Sequence, residues 1–237
     1  REENLEHVMN TDCDNLNRIN NKVVYENNDS YEGEWADGKW HGKGVWKSGS
    51  NISRYEGNYV FGKREGKGTM YYANGDVYEG HWKEGKKNGE GKYRWKKDNS
   101  VYQGSWVNDK REGRGKMVYA NGDEYSGDWK DDNFEGKGTY TWNDKRIYEG
   151  EFSKGLFEGK GKMVYSDGDY YEGYWKNSLY CGDGEYYSSA ENKLYKITCF
   201  GSEFLQIDSE EIVSSATLKN LPEEKPSYST RNKKWDV

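Results

Sequence analysis

Three histidines, three cysteines and 42 carboxylates are the residues of this 237-residue chain whose types could do chemistry. His7, His41 and His81 share no metal-ligand spacing with one another or with Cys13, Cys181 and Cys199. No Ser-His-Asp or Cys-His set can be assembled either, because His41 and His81 occupy different positions of their local pattern. Gly62-Lys63-Arg64-Glu65-Gly66-Lys67 has the outline of a phosphate loop, but no Ser or Thr follows and no helix is expected after it. The carboxylates alternate along polar runs, without an apolar pocket to raise a pKa. The expectation is no enzyme, no cofactor and no metal. What remains is recognition, carried by ten Trp and 22 Tyr. Large rings on a concave face are common interface anchors. The expected partner-binding residues are therefore Tyr78, Trp82, Tyr102, Trp106, Tyr125, Trp129 and Trp175. A second set clusters after successive turns: Lys39, Lys63, Arg64, Lys86, Lys87, Lys110 and Arg111. Those cations could meet acidic phospholipid, each adding about 1 kcal/mol near an anionic surface.

Both sets sit in a repeating frame. Tyr31, Tyr55, Tyr78, Tyr102, Tyr125, Tyr148 and Tyr171 recur 24, 23, 24, 23, 23 and 23 residues apart. Two positions after each Tyr stands a Gly, and two further on an aromatic: Trp35, Tyr59, Trp82, Trp106, Trp129, Phe152 and Trp175. A G-x-G pair then follows, from Gly42/Gly44 to Gly182/Gly184. Such a period signals a repeat architecture. Inside the repeat the spacing is two, the period of a strand. Asp37-Gly38 and Glu84-Gly85 supply turns within repeats, and Asn74-Gly75, Asn121-Gly122 and Asp167-Gly168 supply turns between them. Each repeat is thus a β-hairpin. The hairpin places Tyr31 opposite Trp46 and Trp35 opposite Gly42, so that a ring covers bare glycine backbone. The fold class is an all-β repeat: an elongated, single-layer, twisted antiparallel meander of about seven hairpins with short caps at both ends. Repeats one, three and five replace the Asn-Gly-Asp turn, which suggests a two-repeat period.

Y-E-G-x-W, followed by G-K-G and closed by N-G-D-x-Y, resembles the MORN repeat, over about residues 31 to 187. The resemblance implies stacked hairpins used as a scaffold or partner-binding rod, with an association with membranes and phosphoinositides in some members. It also implies a cytoskeletal or axonemal setting, such as a radial spoke head, with a membrane periphery as the other one. Expected partners are other proteins of a larger assembly, including a second MORN protein or a second copy, with acidic phospholipid as the alternative and no nucleic acid. The lipid kinase and SET domains carried by some relatives find no room in this chain.

The ends bound the array. Residues 1–24 form an expected N-terminal cap, with Leu5, Val8, Met9, Leu16 and Ile19 at helical spacing. Residues 25–187 form the array, and a half-repeat strand at Lys22 to Ser30 precedes the first full repeat. Residues 188–237 hold a degenerate half-repeat around Tyr195, a short helix from Asp208 to Leu218 and a tail at Lys233–Val237. Hydrophobic residues reach only 32% while aromatics reach 16%, which fits a thin sheet with one solvated face. The net charge of −6 lies mostly at residues 1–30, and the array is close to neutral, without a basic footprint for nucleic acid. Glu32, Glu34, Glu56, Glu79, Glu149, Glu151 and Glu172, with Lys43, Lys67, Arg114, Lys137 and Lys160, form an expected charge ladder on the face away from the rings. Three irregularly placed cysteines favour a reducing, cytoplasmic compartment, and no long apolar run spans a membrane.

Overall fold

The computed structural model describes residues 22–200 and 203–207, with backbone alone from Cys199 onward. The helices expected over residues 3–19 and 208–218, and the tail, lie outside the described residues. The described residues divide into two compact units, one up to Lys110 and the other from Arg111. In the first, β1 (Lys22–Val24), β2 (Ser30–Ala36), β3 (Lys39–Lys47) and β4 (Arg54–Val60) are followed by β5 (Lys63–Tyr71), β6 (Val77–Lys83), β7 (Lys86–Arg94) and β8 (Val101–Val107). Each pairs antiparallel with the next. The second begins inside β9 (Lys110–Val118) and continues through β10 (Glu124–Lys130), β11 (Asn133–Thr141), β12 (Ile147–Ser153) and β13 (Leu156–Val164). It ends with β14 (Tyr170–Lys176), β15 (Leu179–Ser188), β16 (Lys193–Phe200) and β17 (Glu203–Ile207), again paired in chain order. Both units are single-layer antiparallel meanders.

The turns explain this economy. Asp37 and Gly38 have φ of 51° and 72°, the type I′ geometry whose twist suits a two-residue hairpin. Asn108-Asp109, Asp131-Asp132 and Asn177-Ser178 adopt the same conformation without glycine. There the second side chain offsets the strain by accepting an amide of the preceding hairpin. Asp109 Oδ1 accepts from Lys87 N at 2.8 Å, Asp132 Oδ1 from Arg111 N at 2.9 Å, and Ser178 Oγ from Phe157 N at 3.0 Å.

One register expectation is corrected. Tyr31 does face Trp46, but Trp35 faces Trp40 and not Gly42, because a bulge lies between Gly33 and Trp35. Gly42, at φ 57°, pairs instead with Tyr59 of the next hairpin. The bulge brings the other glycines into a column. In the first unit Gly33, Gly44, Gly57, Gly68, Gly80, Gly91 and Gly104 pair in succession. Backbones approach so closely that a Cβ on Gly57 would lie 2.5 Å from Gly68 Cα. The covering ring is the tyrosine that opens each repeat, not the tryptophan: a Cβ on Gly138 would meet the Tyr125 ring at 2.6 Å. The ring shields bare glycine, and its hydroxyl donates to a carbonyl three residues on, Tyr78 to His81 O at 2.9 Å and Tyr125 to Asp128 O at 2.7 Å.

Candidate interaction surface

The ring face is a closed core. Tyr78, Tyr102 and Tyr125 are fully buried, and Trp82, Trp106, Trp129 and Trp175 are at most 3% exposed. Each of these indoles donates to a glycine carbonyl one hairpin back: Trp82 to Gly68 O, Trp106 to Gly91 O, Trp129 to Gly115 O and Trp175 to Gly161 O, at 3.1–3.3 Å. Their rings stand edge-on to the tyrosines, Tyr78 against Trp82 at 5.0 Å and Tyr125 against Trp129 at 5.2 Å. The seven residues expected to anchor a partner therefore spend their area on one another, because the bulge folds each Trp back over the neighbouring glycine. They leave no surface for a partner to touch.

The second residue after each hairpin turn completes that core, and it changes chemistry along the chain. It is Trp40, then Arg64, Lys87 and Arg111, then Phe134, Phe157 and Tyr180. Trp40, Phe134 and Phe157 stack on the opening tyrosine, Phe134 on Tyr125 and Phe157 on Tyr148 at 3.8 Å, while Tyr180 stands edge-on to Tyr171 at 4.6 Å. The cations take the same place as cation–π partners: Arg64 lies 4.3 Å from the Trp82 ring, Lys87 4.5 Å from Trp106 and Arg111 4.5 Å from Trp129. Arg64 also donates to Gly85 O at 2.7 Å, and Arg111 pairs with Asp132 at 2.8 Å. Lys87 and Arg111 are buried. Of the seven cations proposed for phospholipid, these three face the core, while Lys39, Lys63, Lys86 and Lys110 are exposed, with Lys63 ion-paired to Glu84 at 3.0 Å. Strand alternation separates them: the first residue after the turn points out and the second points in. The sequence signal was present in the alignment of Arg64, Lys87 and Arg111 with Trp40 and Phe134.

Burial pushes the covering hydroxyls up. Tyr31 rises to about 12 through desolvation, with nearby Glu34 adding to it and the hydrogen bond to His41 O opposing it. Tyr55, Tyr78, Tyr125 and Tyr148 rise further, again mainly through desolvation. All are therefore neutral donors at physiological pH. His41 and His81 do structural work, His41 Nδ1 facing Phe61 N at 3.5 Å and His81 Nδ1 facing Glu90 O at 3.1 Å. Among the described residues no group of His, Cys, Asp and Glu could hold a metal ion, and no helix is long and apolar enough to cross a membrane.

The opposite face is solvated and charged. In the second unit it forms a concavity of about 990 Å³ over the glycine column, walled by Arg114, Lys137, Glu151, Lys160 and Tyr174 on one side and Glu149, Lys162, Glu172 and Glu185 on the other. Rungs of opposite charge run along it. Arg114 pairs with Asp128 at 2.9 Å, Lys162 with Glu172 at 3.2 Å, and Lys137 stands opposite Glu151. The ladder breaks at Tyr174, which is 46% exposed with the Lys160 ammonium 5.5 Å from its ring. Sequence reasoning placed the charge ladder but passed over Tyr174, an aromatic at a position that elsewhere holds Glu34, Asn58, His81, Ser105, Asp128 or Glu151.

The MORN repeat profile matches residues 31–51, 55–77, 78–100, 102–124, 125–145, 148–170 and 171–190. The chain belongs to the MORN-repeat family. The tyrosine, bulge and glycine column described above are thus what its MORN repeats are made of. No curated protein matches this MORN-repeat chain. Among solved structures it is similar to the wild-type TCP10 domain of Danio rerio CPAP, at 12% identity and TM-score 0.44, covering 78% of this chain and 86% of that one. It is also similar to the SAS-4 (dCPAP) TCP domain of Drosophila melanogaster, determined with a proline-rich motif of Ana2 (dSTIL), at 14% identity and TM-score 0.42, covering 65% and 83%. A third is the G-box domain of the microcephaly protein CPAP, at 11% identity and TM-score 0.49, covering 81% and 98%. Likeness at this level carries no functional argument.

Proposed function

We propose that this MORN array is a non-enzymatic scaffold that binds other proteins through its charged face. The observation that carries the reading is the division of labour between faces: the rings are consumed as core, while the other face presents a broad concavity with an exposed tyrosine in its wall. Interfaces are built from such aromatic anchors within a polar surround. The setting is a cytoskeletal or axonemal assembly, such as a radial spoke head, and this finer reading rests on family resemblance. Phospholipid recognition is the weaker alternative, because four exposed lysines of the original seven cations remain for it and they belong to a nearly neutral array. The test is detergent extraction of native material followed by cross-linking mass spectrometry. Retention in the insoluble cytoskeleton, with cross-links from Lys137, Lys160 or Lys162 to other proteins, is expected. Release into the membrane extract without cross-links from those lysines would overturn the scaffold reading.

A further inference from the structure

The charged face of β12–β16 carries a row of side chains outside the ring core, in which Lys162 lies 3.9 Å from the Tyr170 ring and the Tyr187 hydroxyl donates to Asn192 Oδ1 at 2.9 Å. Register places Ile147 opposite Val164, Val164 opposite Tyr170, Tyr170 opposite Tyr187, and Tyr187 opposite Leu194. Their strand neighbours Tyr148, Met163, Tyr171 and Tyr186 are buried in the ring core, so Ile147, Val164, Tyr170 and Tyr187 point the other way, and Leu194 pairs with Tyr187 on that face. Ile147 and Leu194 are exposed, and Tyr170 and Tyr187 stack at 5.2 Å between them. The equivalent row of the first unit is interrupted by cations, running Lys47, Arg54, Tyr71, Val77, Arg94. An uninterrupted apolar row on an otherwise charged face is the mark of an interaction site.

Its surroundings specify the occupant. One pleat inward, Glu149, Glu172 and Glu185 form the shared wall with the concavity, and Glu172 stands directly opposite Glu185. Like charges so placed are unfavourable in the free sheet; Lys162, opposite both Glu149 and Glu172 and ion-paired to Glu172 at 3.2 Å, and Lys196, opposite Glu185, offset them in part. On the other side, exposed Asp167 and Glu191 occupy the turns. Residues 147–196 hold nine carboxylates against six lysines, so the strip is acidic on balance. Rungs recur about every 4.8 Å across a sheet, close to the roughly 5.4 Å of one helical turn and far from the roughly 6.7 Å between same-side residues of an extended chain.

We propose that the row Ile147–Val164–Tyr170–Tyr187–Leu194 docks an amphipathic α-helix of a partner protein, with lysine or arginine flanking its apolar stripe. Four rung intervals span about 19 Å, the length of about 13 helical residues. The proposal rests on the scaffold reading and names the partner chemistry that this face recognises.

The experiment titrates a fluorescent 14-residue helical peptide, with leucines on one stripe and lysines beside it, into the full chain. Its twin carries glutamate in place of every lysine. The lysine peptide is expected to bind at least tenfold tighter than the twin, with the preference shrinking as salt rises. The double variant Ile147→Glu/Leu194→Glu alters two exposed side chains, so it keeps its fold by circular dichroism and loses binding at least tenfold. Equal binding of both peptides, or unchanged binding by the double variant, would overturn the proposal. Self-association that the double variant abolishes would overturn it too, by assigning the row to a second copy. If native cross-links nevertheless reach other proteins from elsewhere on the charged face, the scaffold reading survives the loss of this site.

Discussion

The hydroxyl of Tyr140 donates to Asp123 Oδ2 at 2.8 Å, although the two residues belong to different repeats. The other oxygen of the same buried carboxylate accepts from Asn143 N at 2.9 Å. Asp76 holds Tyr93 and Lys96 N in the same way, and Asp169 holds Tyr186 and Ser189 N. Asp29 begins the series by accepting from Gly49 N at 2.7 Å. These aspartates recur at intervals of 47, 47 and 46 residues, twice the repeat. Asp98 and Asp144, in the intervening turns, accept instead from amides of their own turns. The two-repeat period suspected from the turn sequences thus has a physical basis: every second inter-repeat turn is clamped to the one after it.

Removing that clamp should loosen one seam and spare the next. Asp123→Ala leaves the Tyr140 hydroxyl and the Asn143 amide without their acceptor, a loss of about 1–3 kcal/mol for buried partners. Hydrogen exchange should show Asn143 opening faster, with the Ser100 amide, held by Asp98, unchanged. Repeat arrays transmit such losses only to neighbours.

Glycines of the column and of the turns should respond differently. Gly161→Ala forces a methyl into the Tyr148 ring and its hydroxyl, overpacking of the kind that costs about 1–3 kcal/mol or more. Gly155 has open space around it and only a φ of 81° to defend, so Gly155→Ala should lose about 1 kcal/mol. Urea unfolding of the two variants orders them.

Arg111 should be replaceable by an aromatic but not deletable. Its place is that of Phe134 and Phe157, and the Asp132 carboxylate left by Arg111→Phe is partly exposed and still accepts from the backbone amide of residue 111, so it is not stranded as a buried charge. Arg111→Phe is expected within about 1 kcal/mol of the native chain, and Arg111→Ala to lose about 3 kcal/mol through cavity and lost pairing. Anionic liposome binding by Arg111→Phe should equal that of the native chain, since the guanidinium faces the core.

Alkali should unfold the sheet through its tyrosines. An unfolded tyrosine ionises near pH 10, whereas Tyr31 in the sheet waits until about 12. The folded value is raised, so the stability it contributes is complete below pH 10 and is lost as pH climbs from 10 through 12. Ionisation of Tyr31, followed by its own ring resonances, should appear together with loss of the sheet signal over that range. Ionisation of Tyr31 at pH 10 with the sheet intact would show its hydroxyl to be solvated.

Much of the fold was legible because one pattern is written seven times. Tyr31 to Tyr171 fixed where strands begin, and the spacing of two fixed which residues share a face. The register inside each hairpin was not legible at Trp35, because a bulge adds one residue without changing composition. That single shift moved the glycine cover from Trp to Tyr and sent Trp82, Trp106, Trp129 and Trp175 into the core. Arg64, Lys87 and Arg111 misled for a related reason, since a basic pair after a turn reads as surface until alternation sends its second member inward. Tyr174 was hidden by the opposite bias, one ring among many that turns out to face solvent.

Hydroxyl-radical footprinting of the full chain, read residue by residue, tests the division of faces most directly. The account predicts rapid labelling of Ile147, Tyr174 and Leu194 and little labelling of Trp82, Trp106, Trp129 and Trp175. Labelling of those tryptophans as fast as Tyr174 would contradict it, and would return the rings to the role of partner anchors.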